Sequence, residues 1–168
     1  MSCCCCCLCK FSSALCLIIS SIGICGCTGL GATATGAGVD TMEGGAGADV
    51  FKITTDTDSG ITVALADTIK DFVTSSDTID FSGAAGSAAN YAEADGSGNA
   101  NLAAVISDAN GVFDGTKVYY AEYDVAGGGD GYLLFDADGD GTFNNTDVLV
   151  ILTGVNFASE IAAADIIA

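Results

Sequence analysis

Nine residues constrain this chain more than any others. Gly44-Gly45-Ala46-Gly47-Ala48-Asp49-Val50-Phe51-Lys52 follows the pattern G-G-x-G-x-D-x-U-x, where U is a large apolar side chain. The nine residues before it, Thr35 to Glu43, read T-G-A-G-V-D-T-M-E and depart from that pattern only at the first glycine. Two copies in strict nine-residue register argue against a mere Gly/Asp-rich linker. Glycine tolerates positive φ, so Gly36, Gly38, Gly45 and Gly47 allow tight turns in which carbonyl oxygens crowd together. Asp40 and Asp49 add a carboxylate to each turn, and the U residue of each copy points inward.

Crowded carbonyls beside a carboxylate suit calcium, which takes six to eight oxygens. The repeat resembles the calcium-binding β-roll of RTX (hemolysin-type) exoproteins. In such a roll each nonapeptide forms half a coil, so a complete site lies between a repeat and the next but one. Two repeats make about one coil, which leaves Asp40 and Asp49 in need of partners; Asp56, Asp58, Asp67 and Asp71 lie just downstream. The run Asp67-Thr68-Ile69-Lys70-Asp71-Phe72, followed by Asp77-Thr78-Ile79-Asp80-Phe81-Ser82, is similar to the segment that closes the roll in serralysin-type metalloproteases. That resemblance implies Asp67 and Asp71 as calcium ligands.

Charge points the same way. The 168 residues hold 22 acids against four lysines, for a net charge of -18, and every acid lies at or after Asp40. Such a surface repels nucleic acid and anionic membranes. It also opposes compaction unless cations are bound. Half of the chain is hydrophobic, which favours a folded domain over disorder. There is no histidine, so no H-E-x-x-H zinc motif and no Ser-His or Cys-His pairing exists. A P-loop is absent as well. No carboxylate stands in a recognisable catalytic arrangement, and no enzymatic activity is expected.

The first 34 residues differ from the rest. All nine cysteines lie between Cys3 and Cys27, five of them consecutive. This is neither a disulfide framework nor a CxxC pattern. Three readings stay open: a signal peptide using Lys10 and the apolar stretch 11–24; a lipoprotein anchor at Cys27 after Ile24-Cys25-Gly26; and an out-of-frame reading of an alanine-rich coding stretch. Only a real anchor would bring the chain to a membrane. The domain to be folded is therefore 35–168.

Within it, 53–65 reads as extended and 77–82 as a strand. Residues 83–100, rich in Gly, Ala, Ser and Asn, read as a mobile loop. Asn101 to Asn110 suits one short helix stopped at Gly111. Strand-like runs follow at 117–125, 131–135 and 148–155, the last apolar throughout. The expected class is all-β: a short β-roll coil leading into a β-sandwich-like C-terminal body with one short helix.

Between the last two strands lies a second candidate calcium loop. Asp136-Ala137-Asp138-Gly139-Asp140-Gly141-Thr142-Phe143-Asn144-Asn145-Thr146-Asp147 follows the spacing of an EF-hand loop, with ligands at Asp136, Asp138, Asp140, Thr142, Asn144 and Asp147. Both flanks read as strands, and Asp147 is shorter than the usual Glu. The ending Ala164-Asp165-Ile166-Ile167-Ala168 resembles the C-terminus of type I secretion substrates, which an ABC exporter reads; a final edge strand is the alternative. Together these features lead to an expected function: a secreted, extracellular module that folds on calcium. It resembles the C-terminal part of a larger RTX exoprotein, and a small complete protein is the other option. A surface-layer or adhesin module is the rival class, with a calcium sensor third.

Overall fold

Strand register gives the architecture directly. In the computed structural model the described residues are 32–34, 37–53 and 58–168. The first strands form two parallel ladders, entered alternately. β1 (Ala32–Ala34), β3 (Val50–Lys52) and β5 (Thr78–Asp80) pair side by side in one sheet, and β2 (Thr41–Met42) pairs with β4 (Asp67–Ile69) in the other. Ala32 stands opposite Val50 and Val50 opposite Thr78, so the first coil takes 18 residues and the second 28. Eighteen is two nonapeptides, as a roll requires. Nine of the extra ten form an insert before β4, which runs through bends and turns from 58 to 66 where extended chain was expected. Ser59 ties that insert down: its hydroxyl donates to the Leu149 carbonyl and accepts from the Asp67 amide at 2.8 Å. Among the described residues the ladder starts at Ala32.

The rest of the chain builds onto the roll's two sheets. β6 (Tyr91–Asp95), β7 (Tyr119–Tyr123), β8 (Asp130–Phe135) and β9 (Val148–Thr153) extend the roll's second sheet into six strands, ordered β2-β4-β9-β8-β7-β6. The chain then returns to the first sheet, where β10 (Ile166–Ile167) pairs in parallel with β5. The fold is all-β, with the roll and the body sharing one sheet.

β9 is the joint, parallel to β4 on one side and antiparallel to β8 on the other. Its side chains alternate between two cores, as a period of two dictates. Val148, Val150 and Leu152 face the space between the sheets with Phe51, Ile69, Ile79 and Ile166. Leu149 and Ile151 face the opposite side, with Tyr120 and Leu134. A strand buried on both faces must be apolar throughout. The helix α1 (Leu102–Asn110) covers that second face with Val105 and Ala109, capped at its start by Asn101, whose side chain accepts from the Ala104 amide. Residues 83–100 contain β6, which was expected to be loop. Tyr91 supplies the reason: its ring is buried between the sheets.

Candidate metal centre

The strands fix two places where acids gather. The first is the set of roll turns. Register makes Asp40 equivalent to Asp67 and Asp49 equivalent to Asp77; Asp40, Asp49 and Asp77 each stand one residue before a strand, and Asp67 opens β4. The equivalents touch: the Asp40 amide donates to Asp67 Oδ1 at 2.8 Å, and the Asp49 amide to Asp77 Oδ1 at 3.1 Å. Asp77 also accepts from the Val73 amide at 2.9 Å. Asp71 reaches back across the coil and accepts from the Gly44 amide at 2.9 Å and the Gly45 amide at 2.7 Å. The Ser76 hydroxyl donates to the Gly47 carbonyl at 2.5 Å. Gly44 is required by close approach, because a Cβ there would lie 2.8 Å from Asp49 Oδ2.

These acids meet the repeat, but they do not form a group of three carboxylates among the described residues. Asp71 sits opposite two N–H groups, which stabilise its carboxylate. Asp77, the partner Asp49 finds, was not among the expected ligands. Its signal was legible: D-x-U recurs as Asp40-Thr41-Met42, Asp49-Val50-Phe51, Asp67-Thr68-Ile69 and Asp77-Thr78-Ile79, once per half coil. Asp58 is buried within the insert. Gly36 and Asp56 lie outside the described residues, as do the N-terminal signal, anchor and frame readings. No helix of the described residues is long and apolar enough to cross a membrane.

The second place is the hairpin between β8 and β9. Phe135 stands opposite Val148, so Asp136 and Asp147 emerge side by side from the end of the antiparallel pair. Both are buried, at 1% and 0% exposure. Asp138 folds back to them, and one oxygen from each of the three carboxylates lies within 4.8 Å of the others. Calcium–oxygen distances of about 2.3–2.6 Å allow two ligands of one ion to stand up to about 5 Å apart, so a single cation reaches all three. The residues present therefore fit the ion.

Backbone amides hold the acids in place. Asp136 accepts from Gly139 at 2.9 Å and Gly141 at 3.0 Å, and Asp147 from Ala137 at 2.9 Å and Asn144 at 2.6 Å. This wrapping needs positive φ at Gly139 (70°) and Gly141 (83°), where an L side chain would be strained. The Asp140 carboxylate is not one of the three that converge, although its amide donates to Asp138 Oδ1 at 3.1 Å. Asp140 accepts from the Thr142 amide at 2.8 Å and from Asn144 Nδ2 at 3.3 Å, and the same Nδ2 donates to the Thr142 carbonyl at 2.9 Å.

Burial pushes the Asp136 and Asp147 carboxyls up, against the pull of their amide donors, and neighbouring acids add to the rise: Asp138 and Asp140 for Asp136, Asp136 and Asp138 for Asp147. Asp138 goes the other way, held low mainly by the Thr146 hydroxyl and the Asp140 amide. Two buried acids pushed toward protonation, beside an ionised third, is the electrostatics of a site that a cation would relieve.

No protein-family model matches the sequence, and no curated protein matches it. Solved structures do. The chain is similar in fold to the AlgE6R3 subunit of the mannuronan C5-epimerase from Azotobacter vinelandii, with 23% identity and a TM-score of 0.50. That likeness covers 82% of this chain and 62% of the other, so the chain spans less than two thirds of its neighbour. The AlgE6R2 subunit of the same epimerase matches with 25% identity and a TM-score of 0.48, over 82% of this chain and 70% of that one. The likeness to AlgE6R3 establishes a shared fold.

Proposed function

We propose that this chain is a calcium-binding β-roll module whose ion is held by the β8–β9 hairpin loop. The observation that carries this reading is the convergence of Asp136, Asp138 and Asp147 within 4.8 Å on two fixed strands. These three residues would hold the ion directly. Bound calcium would supply positive charge to a chain of net charge -18 and cross-link the strand that joins roll to body.

Extracellular calcium modules bind with dissociation constants of about 0.1–1 mM. A site of that strength is empty in the cytosol and filled outside. At calcium about tenfold above the dissociation constant, occupancy adds about 1.4 kcal/mol of stability. A secreted module of a larger exoprotein fits this setting, and the neighbour's origin in a larger enzyme supports it. The C-terminal peptide keeps its proposed role as an export address. Asp165 and Ile166 are buried in the fold, so an exporter would read them before the chain folds. The test is thermal unfolding of the full chain in EGTA and in millimolar calcium. A rise of roughly 3–6 °C is expected for a protein of this size. Superimposable melts would refute calcium-linked folding.

A further inference from the structure

The hairpin loop is held at its ends by strands, but its crest rests on something else. Phe143, near the middle of the loop, is buried among Val105 and Ala109 of α1 and Phe113 just beyond it. The Phe143 amide donates to Asn110 Oδ1 at 2.7 Å, and Asn110 is the last residue of α1. The turn after the helix also lies against the loop. A Cβ at Gly115 would stand 3.2 Å from the Gly139 carbonyl, and one at Gly141 would stand 3.5 Å from the Phe113 carbonyl. The loop is thus fixed at three points: Asp136, Asp147 and the Phe143–Asn110 contact between them.

We infer that Asn110 is a positioning residue for calcium, acting through the Phe143 backbone; this rests on the reading of the loop as a calcium site. Asn110 touches none of the three converging acids. Its side-chain carbonyl satisfies an amide that would otherwise compete for a carboxylate of the loop. A loop already in its bound shape gives up less freedom when the ion arrives. Helix α1, which carries no ligand, is thereby coupled to occupancy of the loop.

The inference is tested by titrating calcium alone into the full chain and into Asn110→Ala and Asn110→Asp, with the melting point of each measured in EGTA. Alanine removes the acceptor and suits a helix end that is exposed to solvent. Aspartate keeps an acceptor at the same reach. One lost hydrogen bond corresponds to about a twofold to tenfold weaker affinity, expected in Asn110→Ala and restored in Asn110→Asp. The Phe143 amide should exchange with solvent faster in Asn110→Ala alone. Equal affinity of wild type and Asn110→Ala overturns the inference and leaves the calcium site standing. So does an Asn110→Ala that melts lower in EGTA but binds as tightly. If Asn110→Ala does not fold, Asn110→Ser, with its shorter acceptor, takes its place under the same criteria. A wild type that takes up no calcium overturns the site and the inference together.

Discussion

The roll turn at Gly44–Asp49 and the hairpin loop at Asp136–Asp147 are both rich in Gly and Asp, yet they bring their acids together to different degrees. In the roll turn the acids are spread along two coils, and Asp71 and Asp77 each meet two backbone amides. Ser76 closes the Gly47 carbonyl with a hydroxyl. In the hairpin loop Asp136 and Asp147 each take two backbone amides as well, but there one oxygen from each of three acids also lies within 4.8 Å of the others. The difference comes from the scaffold. Successive coils of a parallel ladder stack equivalent acids at the strand spacing of about 4.8 Å, one per turn. A hairpin brings both ends of one loop together, so three acids twelve residues or fewer apart meet at a point. Glycine and aspartate make a turn in either setting; among the described residues only the hairpin brings three carboxylates within 4.8 Å of one another.

The largest effect should come from removing the convergence. Asp136→Asn with Asp147→Asn takes away two direct ligands. Changes to outer partners of metal sites already cost about 10–100-fold in affinity, so this pair should lose more than 100-fold, measured by calorimetric titration with calcium. The stability in EGTA should hold or rise, since both carboxyls are pushed up by burial and sit uneasily when charged.

Next is Gly44→Ala. Its Cβ would meet Asp49 Oδ2 at 2.8 Å, an overpacking that costs about 1–3 kcal/mol in denaturant melts. That loss should be the same with and without calcium, because the roll turn is closed by protein hydrogen bonds. Ser76→Ala should follow at about 0.5–1.5 kcal/mol, again independent of calcium. A calcium-dependent loss in either variant would move the roll turn into the same class as the hairpin loop.

The smallest effect concerns neither turn and serves as a control for charge. Glu122 is 1% exposed on β7, with Asn99 Nδ2 at 2.5 Å and the Tyr120 hydroxyl at 3.1 Å. Burial raises its pKa, the Asn99 and Tyr120 hydrogen bonds lower it, and the charges of Asp108 and Asp95 raise it, leaving it above the ordinary value. The folded state then holds a proton that the unfolded chain, with a Glu pKa of about 4.3, has released. Stability contributed by this group is therefore greatest in acid and falls as pH rises from about 4.3 through the folded pKa. Glu122→Gln should melt higher than wild type at pH 7 by a few degrees at most, and the gap should close in acid. A gap that persists unchanged at low pH would show that the carboxylate is not the cause.

Much of this was legible in the sequence because the signals are local. The nonapeptide spacing gives coils of 18 residues, the apolar run 148–155 gives a doubly buried strand, and Asn101 with Gly111 brackets the helix. The twelve-residue spacing from Asp136 to Asp147 gave the loop. The misses are non-local. β6 hides in a Gly- and Ser-rich stretch because its strand character comes from Tyr91 packing between sheets and from parallel pairing with β7. The D-x-U recurrence marks Asp77, but its pairing with Asp49 spans ten extra residues that lengthen the coil from 18 to 28, a length no local pattern encodes. The spacing did not say which carboxylates of the loop converge: Asp136, Asp138 and Asp147 do, while the Asp140 carboxylate accepts from the Thr142 amide and Asn144 Nδ2.

The most direct measurement is the number of calcium ions bound by the full chain, with and without Asp136→Asn/Asp147→Asn, by calorimetric titration at fixed pH. A single equivalent in the wild type and none in the variant is the expected result. Undiminished calcium uptake by the variant would contradict it and place the ion elsewhere, with the roll turns as the first place to look.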